Sequence, residues 1–259
     1  MSVGFPRSTA IVPRLELVAR TGSTNADLRG HAHDADGWPH LSILATHDQT
    51  AGRGRLDRTW VAPDGSALAV SVLLRALPAE PASRGWIPLL AGLAMAEAVA
   101  AQLPDEEVAV KWPNDVLVDG RKICGILAEA ASDAIIVGAG VNTAMTVEQL
   151  PVATATSFAA KGGDVDEDQL LATYVTALDT RLTDLVAAAG DAVASGAHGA
   201  VTERCATIGQ AIRVSMPGDR TQEGTAIGLD AEGRLLVVSE GVEHAISAGD
   251  VVHVRPAGS

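Results

Sequence analysis

The stretch VLVDGRKICGILAEA, residues 116–130, constrains this chain more than any other. Two apolar-rich runs flank an Asp-Gly pair. Asp-Gly suits a two-residue turn whose backbone needs positive φ, so the stretch reads as a β-hairpin. A hairpin makes its strands antiparallel. The sheet that holds it is therefore antiparallel or mixed, not doubly wound and parallel.

The rest of the chain fills in around that hairpin. LELVA (15–19), LSILATH (41–47), the buried SALAVSVLLRA (66–76), EVAVKW (107–112) and AIIVGAGVN (134–142) read as further strands. Ser23 or Thr24 caps a helix that follows residue 23. Trp86, Leu89, Leu90 and Leu93 recur at helical spacing and predict a helix over 84–103 with one apolar face. Leu171, Tyr174, Leu178, Leu182 and Leu185 predict another over 166–190. Residues 48–65 have no apolar period and read as a long loop rich in glycine and arginine. After about residue 205, short strands follow one another at close spacing, joined by Gly and Asp turns, the pattern of a small β-barrel. The expected fold is α+β: a mixed sheet flanked by helices over 1–204, then a barrel over 205–259.

A chain of 259 residues can hold one large core plus a small accessory domain. Its net charge of −13 excludes a global basic footprint for nucleic acid, so any anion site must be a local cluster of cations. Cys124 and Cys205 are far apart and form no C-x-x-C, which predicts two packed, reduced thiols. There is no signal-like N-terminus and no apolar run long enough to span a bilayer, so the expected compartment is the cytoplasm.

Two stretches concentrate cations. GRGRLDR carries Arg53, Arg55 and Arg58 among Gly52 and Gly54; glycine lets backbone approach a ligand, and guanidinium forks match carboxylates and phosphates. KWPND leads into the hairpin, so Lys111, Asn114 and Asp115 stand near Arg121 and Lys122. Strand alternation requires one of Arg121 and Lys122 to face the covered side of the sheet or a cleft. VGAGVN lacks a third glycine and opens no clear helix, so it is not a dinucleotide fingerprint. HAHDAD (31–36) has no convergent further ligand and reads as a polar loop, with no metal site expected.

Taken in order, GSTN (22–25), QTAGRGR (49–55) with R-x-W (58–60), KWPNDVLVDGRKICGIL (111–127) and VGAGVN resemble the biotin protein ligases. The resemblance covers nearly the whole chain, and it implies a sheet related to class II aminoacyl-tRNA synthetases and an SH3-like C-terminal barrel. It also implies an activity: ATP, with Mg²⁺, adenylates biotin to biotinyl-AMP, and biotin then passes to a lysine of a carboxyl carrier protein of acetyl-CoA carboxylase or a related carboxylase. No tightly bound prosthetic group is implied. GSTN begins at residue 22, which leaves no room for the winged helix-turn-helix of some members, so the expectation is a ligase-only form that binds no DNA and no membrane. Oligomeric state is left open. A lipoate ligase, which shares the broad fold, should lack the GRGR and KWPND pair.

Residue by residue, the resemblance implies that Ser23, Thr24, Asn25 and Gln49 hold the biotin ureido ring. Gly52, Arg53, Gly54 and Arg55 form a loop that closes over biotin and its adenylate. Lys122, with Gly125 beside it, contacts the biotin carboxylate and then the acyl phosphate. Arg58, Trp60, Lys111, Asn114, Gly138 and Asn142 lie near the nucleotide. Lys122, Arg55, Arg53 and Asp115 carry catalysis, with Asp115 as a base or orienting group. Asp57 departs from the family, where glycine is common, and its charge could pair with Arg55 or Arg58.

Overall fold

The structure, a computed structural model, describes residues 4–56, 58–216, 220–247 and 249–253. Asp57, and with it the expected pairing to the loop arginines, lies outside the described residues.

A short helix, α1 (Pro6–Ile11), starts the described chain and was not signalled by periodicity. It is tied down by one buried carboxylate: Asp168 accepts from the Arg7 and Ser8 backbone N–H groups, both at 2.9 Å. β1 (Leu15–Leu17), α2 (Thr24–His31) and β2 (Ser42–Thr46) then form a parallel crossover. Ser23 is the helix cap, and its hydroxyl accepts from Ala26 N. The stretch expected as an irregular loop contains a two-stranded ribbon, β3 (Gly52–Arg53) with β4 (Thr59–Trp60). β5 (Ala67–Leu74) follows and is buried at every position.

A 3₁₀ turn over Pro81–Trp86 leads into α3 (Ile87–Ala100). Then come β6 (Val108–Lys111), β7 (Asp115–Val118), β8 (Arg121–Ala131) and β9 (Ala134–Asn142). The seven-stranded sheet runs β1-β2-β5-β9-β8-β7-β6; only β1 and β2 pair in parallel. It is the mixed sheet that the hairpin demanded. Asp119 (φ 47°) and Gly120 (φ 72°) are both left-handed, as a primed hairpin turn requires.

One face of the sheet is covered by α3 and by α4 (Glu167–Ala187), whose Leu171, Tyr174, Leu178, Leu182 and Leu185 are all buried. Asp166 caps α4 by accepting from Gln169 N at 3.0 Å. α3 is buried all round, not on one face, because it packs between the sheet, α4 and a further short helix before the C-terminal sheet. Each such apolar side chain contributes about 1.5–3 kcal/mol on burial. The opposite face is covered only at one end, where Leu28 of α2 and Trp38 pack on Leu44, Leu73 and Ile136. The remainder of that face is open and forms the cleft described below.

α5 (Ala197–Arg204), also unsignalled, leads to the C-terminal sheet. β10 (Ala211–Met216), β11 (Arg220–Leu229), β12 (Leu235–Ser239), β13 (Val242–Ile246) and β14 (Asp250–His253) form an antiparallel sheet in the order β13-β12-β11-β10-β14. Two buried indoles fasten it to the larger domain. Trp86 Nε1 donates to Ala231 O at 2.8 Å and Trp112 Nε1 to Gly233 O at 3.0 Å. Gly233 has φ 79°, and a Cβ there would lie 3.1 Å from Leu89 Cδ1, so the turn has little room for a side chain. No helix among the described residues is long and apolar enough to cross a membrane.

Candidate active site

The open part of the sheet has a floor of small residues. Ala69, Gly140 and Gly125 stand in register across β5, β9 and β8; Ser71, Gly138 and Leu127 form the next row. Without side chains at Gly138 and Gly140, other groups come down onto the backbone. A Cβ on Gly138 would lie 2.4 Å from Asn25 Oδ1, and one on Gly140 would lie 2.6 Å from Trp60 Cε2. VGAGVN therefore supplies a flat surface on which a ring can lie, and no phosphate turn.

A cavity of about 150 Å³ sits on this floor. Ser23, Thr24, Asn25, Gln49, Arg53, Gly54, Arg55, Arg58, Trp60, Asn114, Asp115, Lys122, Gly125 and Gly138 all line it. Three of the expected residues do not. Gly52 is buried within the ribbon, paired with Trp60, where a Cβ would meet Gln49 Nε2 and Trp60 O at 2.5 Å each. Asn142 is buried and donates to Thr156 O at 2.9 Å. Lys111 lies on the side of His253, whose pKa is pushed down by burial and then by the Lys111 charge. Arg121 is exposed, also away from the cavity.

The placement of Lys122 has a local cause. The β7–β8 register pairs Cys124 with Val116 but Lys122 with Leu117, so one residue of β8 is extra. This bulge puts Ile123 and Cys124 both into the core and turns Lys122 onto the cleft face that it shares with Gly125. Bulges beside active sites re-aim side chains in this way. Lys122 Nζ lies 2.6 Å from Asp115 Oδ1, and a Cβ on Gly125 would lie 3.0 Å from the same ammonium. Burial pushes the Cys124 thiol far up, so it serves as packing and not as a nucleophile.

The uncharged end of the cavity is a hydrogen-bonded network. Gln49 Oε1 accepts from Thr24 N (2.8 Å) and Thr24 Oγ1 (3.1 Å). Ser71 Oγ, buried in β5, lies 2.8 Å from Thr24 Oγ1 and donates to Asn25 Oδ1 at 2.6 Å. Asn25 spends its amide protons on Leu127 O and on Glu129 Oε2, at 3.2 and 2.7 Å. Asn25 thus acts more as a brace for its neighbours than as a free ligand group. Sequence reasoning missed Ser71, Glu129 and Gly140; a lone serine inside an apolar strand was the available signal.

The charged end carries Arg53, Arg55 and Arg58 on the ribbon and Lys122 on β8, with Asp115 the acidic side chain among the described lining residues. The ribbon is held at two edges. Arg53 Nη2 meets Glu129 Oε2 at 3.1 Å, while Arg55 Nη1 donates to Asn114 Oδ1 and to Gly249 O, both at 3.2 Å. Gly249 belongs to the C-terminal sheet region, so both domains contribute to the cleft. Chemically, the site offers a donor-rich neutral end, a flat floor, and cations where an anion would sit.

Residues 17–142 match the model of the biotin/lipoate A/B protein ligase family, and residues 207–254 match the biotin protein ligase C-terminal domain. A biotin–[acetyl-CoA-carboxylase] ligase of Mycobacterium tuberculosis is 36% identical over 245 residues, covering 93% of this chain and 90% of the relative. The biotin protein ligase of Aquifex aeolicus in complex with biotin and ATP superposes with a TM-score of 0.76 at 25% identity, covering 94% of this chain and 100% of that one. The Leishmania major biotin protein ligase with biotinyl-5-AMP gives a TM-score of 0.59 at 25% identity, with 91% and 99% covered.

Proposed function

This chain belongs to the biotin protein ligase family, and from that premise we propose how its cleft carries out the reaction. The protein is an ATP-dependent ligase that converts biotin to biotinyl-AMP and then transfers the biotin. The acceptor we assign is a lysine of a biotin carboxyl carrier domain of acetyl-CoA carboxylase or a related carboxylase, in the cytoplasm. The observation that carries the assignment of roles is the convergence of Lys122, Arg53, Arg55 and Arg58 on one cavity in a protein of net charge −13.

Biotin enters with its ureido ring at the neutral end, where Ser23, Thr24 and Gln49 offer donors and acceptors. Its carboxylate then points toward Lys122. The first step brings that carboxylate to the α-phosphate of ATP, an anion to a polyanion. Positioning and charge compensation dominate such a barrier. Mg²⁺ arrives on the ATP phosphates as part of that substrate. Asp115 holds the Lys122 ammonium in place, and the ammonium stabilises the charge that develops at the acyl phosphate. Pyrophosphate leaves toward the ribbon arginines, and Trp60 and Asn114 border the nucleotide.

In the second step the acceptor lysine amine attacks the acyl carbon of biotinyl-AMP, forming an amide and releasing AMP; with an ordinary pKa near 10.4, that amine must lose its proton. Asp115 faces the same space and is the group we assign to orient it or take the proton. The ribbon closes over the mixed anhydride and keeps water from it. A domain boundary at 204/205 is supported by the start of β10 at Ala211 and by the C-terminal family match over residues 207–254. Incubation with biotin, MgATP and a carrier domain, followed by a blot for biotin, tests the assignment. Biotin on the carrier's target lysine is expected; no ATP-dependent label would contradict it.

A further inference from the structure

We infer that Glu129 is a positioning residue that couples the ribbon to the neutral, biotin-binding end of the cleft. The inference rests on the functional reading above and deepens it. Glu129 is on β8, two residues beyond the floor residue Leu127, and its side chain is only 18% exposed. Three donors converge on its carboxylate. Oε2 accepts from Asn25 Nδ2 at 2.7 Å and from Arg53 Nη2 at 3.1 Å, while Oε1 accepts from Arg29 Nη2. Asn25 and Arg29 stand one turn apart on α2, and Arg53 is on β3.

The sharing of one oxygen matters. Asn25 is braced on one side by Glu129 and on the other by Ser71, which also touches Thr24. The carboxylate that sets the Asn25 amide is therefore the one that anchors the ribbon through Arg53. Shifting Arg53 disturbs the amide, and shifting the amide disturbs the Thr24 end. A charged acceptor makes both bonds stronger than a neutral one would. Arg29 occupies the other oxygen and is 41% exposed, so it neutralises Glu129 without entering this chain of contacts.

Glu129→Gln keeps the shape and removes the charge. Its apparent KM for biotin, read by pyrophosphate release, is expected to rise about tenfold or more, the scale of a charged hydrogen bond. Its KM for ATP is expected to stay within about twofold, and trypsin is expected to cut the arginine ribbon faster. Arg29→Gln removes a partner from the same carboxylate but is expected to leave the biotin KM within about twofold. If Glu129 merely stabilised α2, both variants would lower Tm alike and leave the biotin KM of the folded enzyme unchanged. That result, beside an active wild type, overturns this inference alone. A wild type without biotin-dependent pyrophosphate release overturns the functional reading and this inference together. Glu129→Asp, which keeps the charge and withdraws it by one methylene, carries the same test if Glu129→Gln does not fold.

Discussion

Two regions deliver positive charge to the same cavity by different means. Lys122 stands on β8, a strand paired on both sides within the seven-stranded sheet, and a bulge aims it. Arg53, Arg55 and Arg58 stand on a ribbon of two-residue strands, fastened at its edges by Glu129, Asn114 and Gly249. A charge on a strand is preorganised before substrate arrives and loses little on binding. A charge on a ribbon can admit substrate and then close. The difference assigns bond formation mainly to Lys122 and retention of the intermediate mainly to the ribbon.

The sharpest way to break that division is to remove the strand charge. Lys122→Ala is expected to slow pyrophosphate release at saturating biotin and ATP by about 10²-fold or more, the scale of losing one preorganised donor. Circular dichroism should find the fold intact, since a cleft lysine is not core packing. Lys122→Arg should rescue only part, because a planar fork does not replace a point charge beside Gly125. Near wild-type release from folded Lys122→Ala would remove Lys122 from the chemistry.

Removing the ribbon's fastening should have a smaller and different effect. Arg55→Ala loses the bonds to Asn114 and Gly249, each of a class worth about 1.5–3 kcal/mol. Biotinyl-AMP is expected to escape roughly ten- to a hundredfold faster, measured by trapping with a small amine. Adenylate formation should suffer less than in Lys122→Ala. Unchanged escape would mean that the ribbon does not retain the intermediate.

Gly140→Ala probes where the two regions touch. Its new Cβ would lie 2.6 Å from the Trp60 ring, so the ribbon must lift. Overpacking of this kind costs about 1–3 kcal/mol, and binding of biotinyl-AMP is expected to weaken about tenfold by calorimetry. Unaltered affinity would show that Trp60 does not rest on the floor when ligand binds.

The smallest effect is a pH dependence at the root of the ribbon. His47 Nε2 lies 2.6 Å from Glu167 Oε2, and the hydrogen bond to that carboxylate raises the His47 pKa above its usual 6.5. A raised folded pKa stabilises the fold fully below the unfolded pKa, and the contribution fades as pH rises through the folded value. Both groups are partly exposed, so the pair is worth about 1 kcal/mol or less. Denaturant unfolding of wild type and Glu167→Gln should differ below pH 6.5 and converge above the folded pKa. A difference that grows with pH would contradict the assignment.

The sequence made the hairpin legible because Asp119 and Gly120 announce a turn that few other pairs tolerate. It made Lys122 legible through motif and alternation together. Alternation alone was unsafe here: the bulge breaks period two between Lys122 and Gly125, and nothing in RKICG signals it. Lys111 and Arg121 also bracket the hairpin, yet of the three cations only Lys122 lines the cleft, and the register puts it there. α1 and α5 went unseen because six and eight residues carry too little periodicity. α3 showed an apolar face, but its burial on every side comes from α4 and α5 packing against it, which no local period announces. Glu129 was invisible because its partners come from α2 and β3, far away in the chain.

The contrast between a fixed strand charge and a conditional ribbon charge is tested most directly by hydrogen exchange on two segments, 52–60 and 121–131, with and without biotinyl-AMP. The account predicts that 121–131 is strongly protected in both states, while 52–60 exchanges quickly alone and gains protection with the adenylate. Equal protection of 52–60 in the two states, or protection of 121–131 that appears only with ligand, would contradict it.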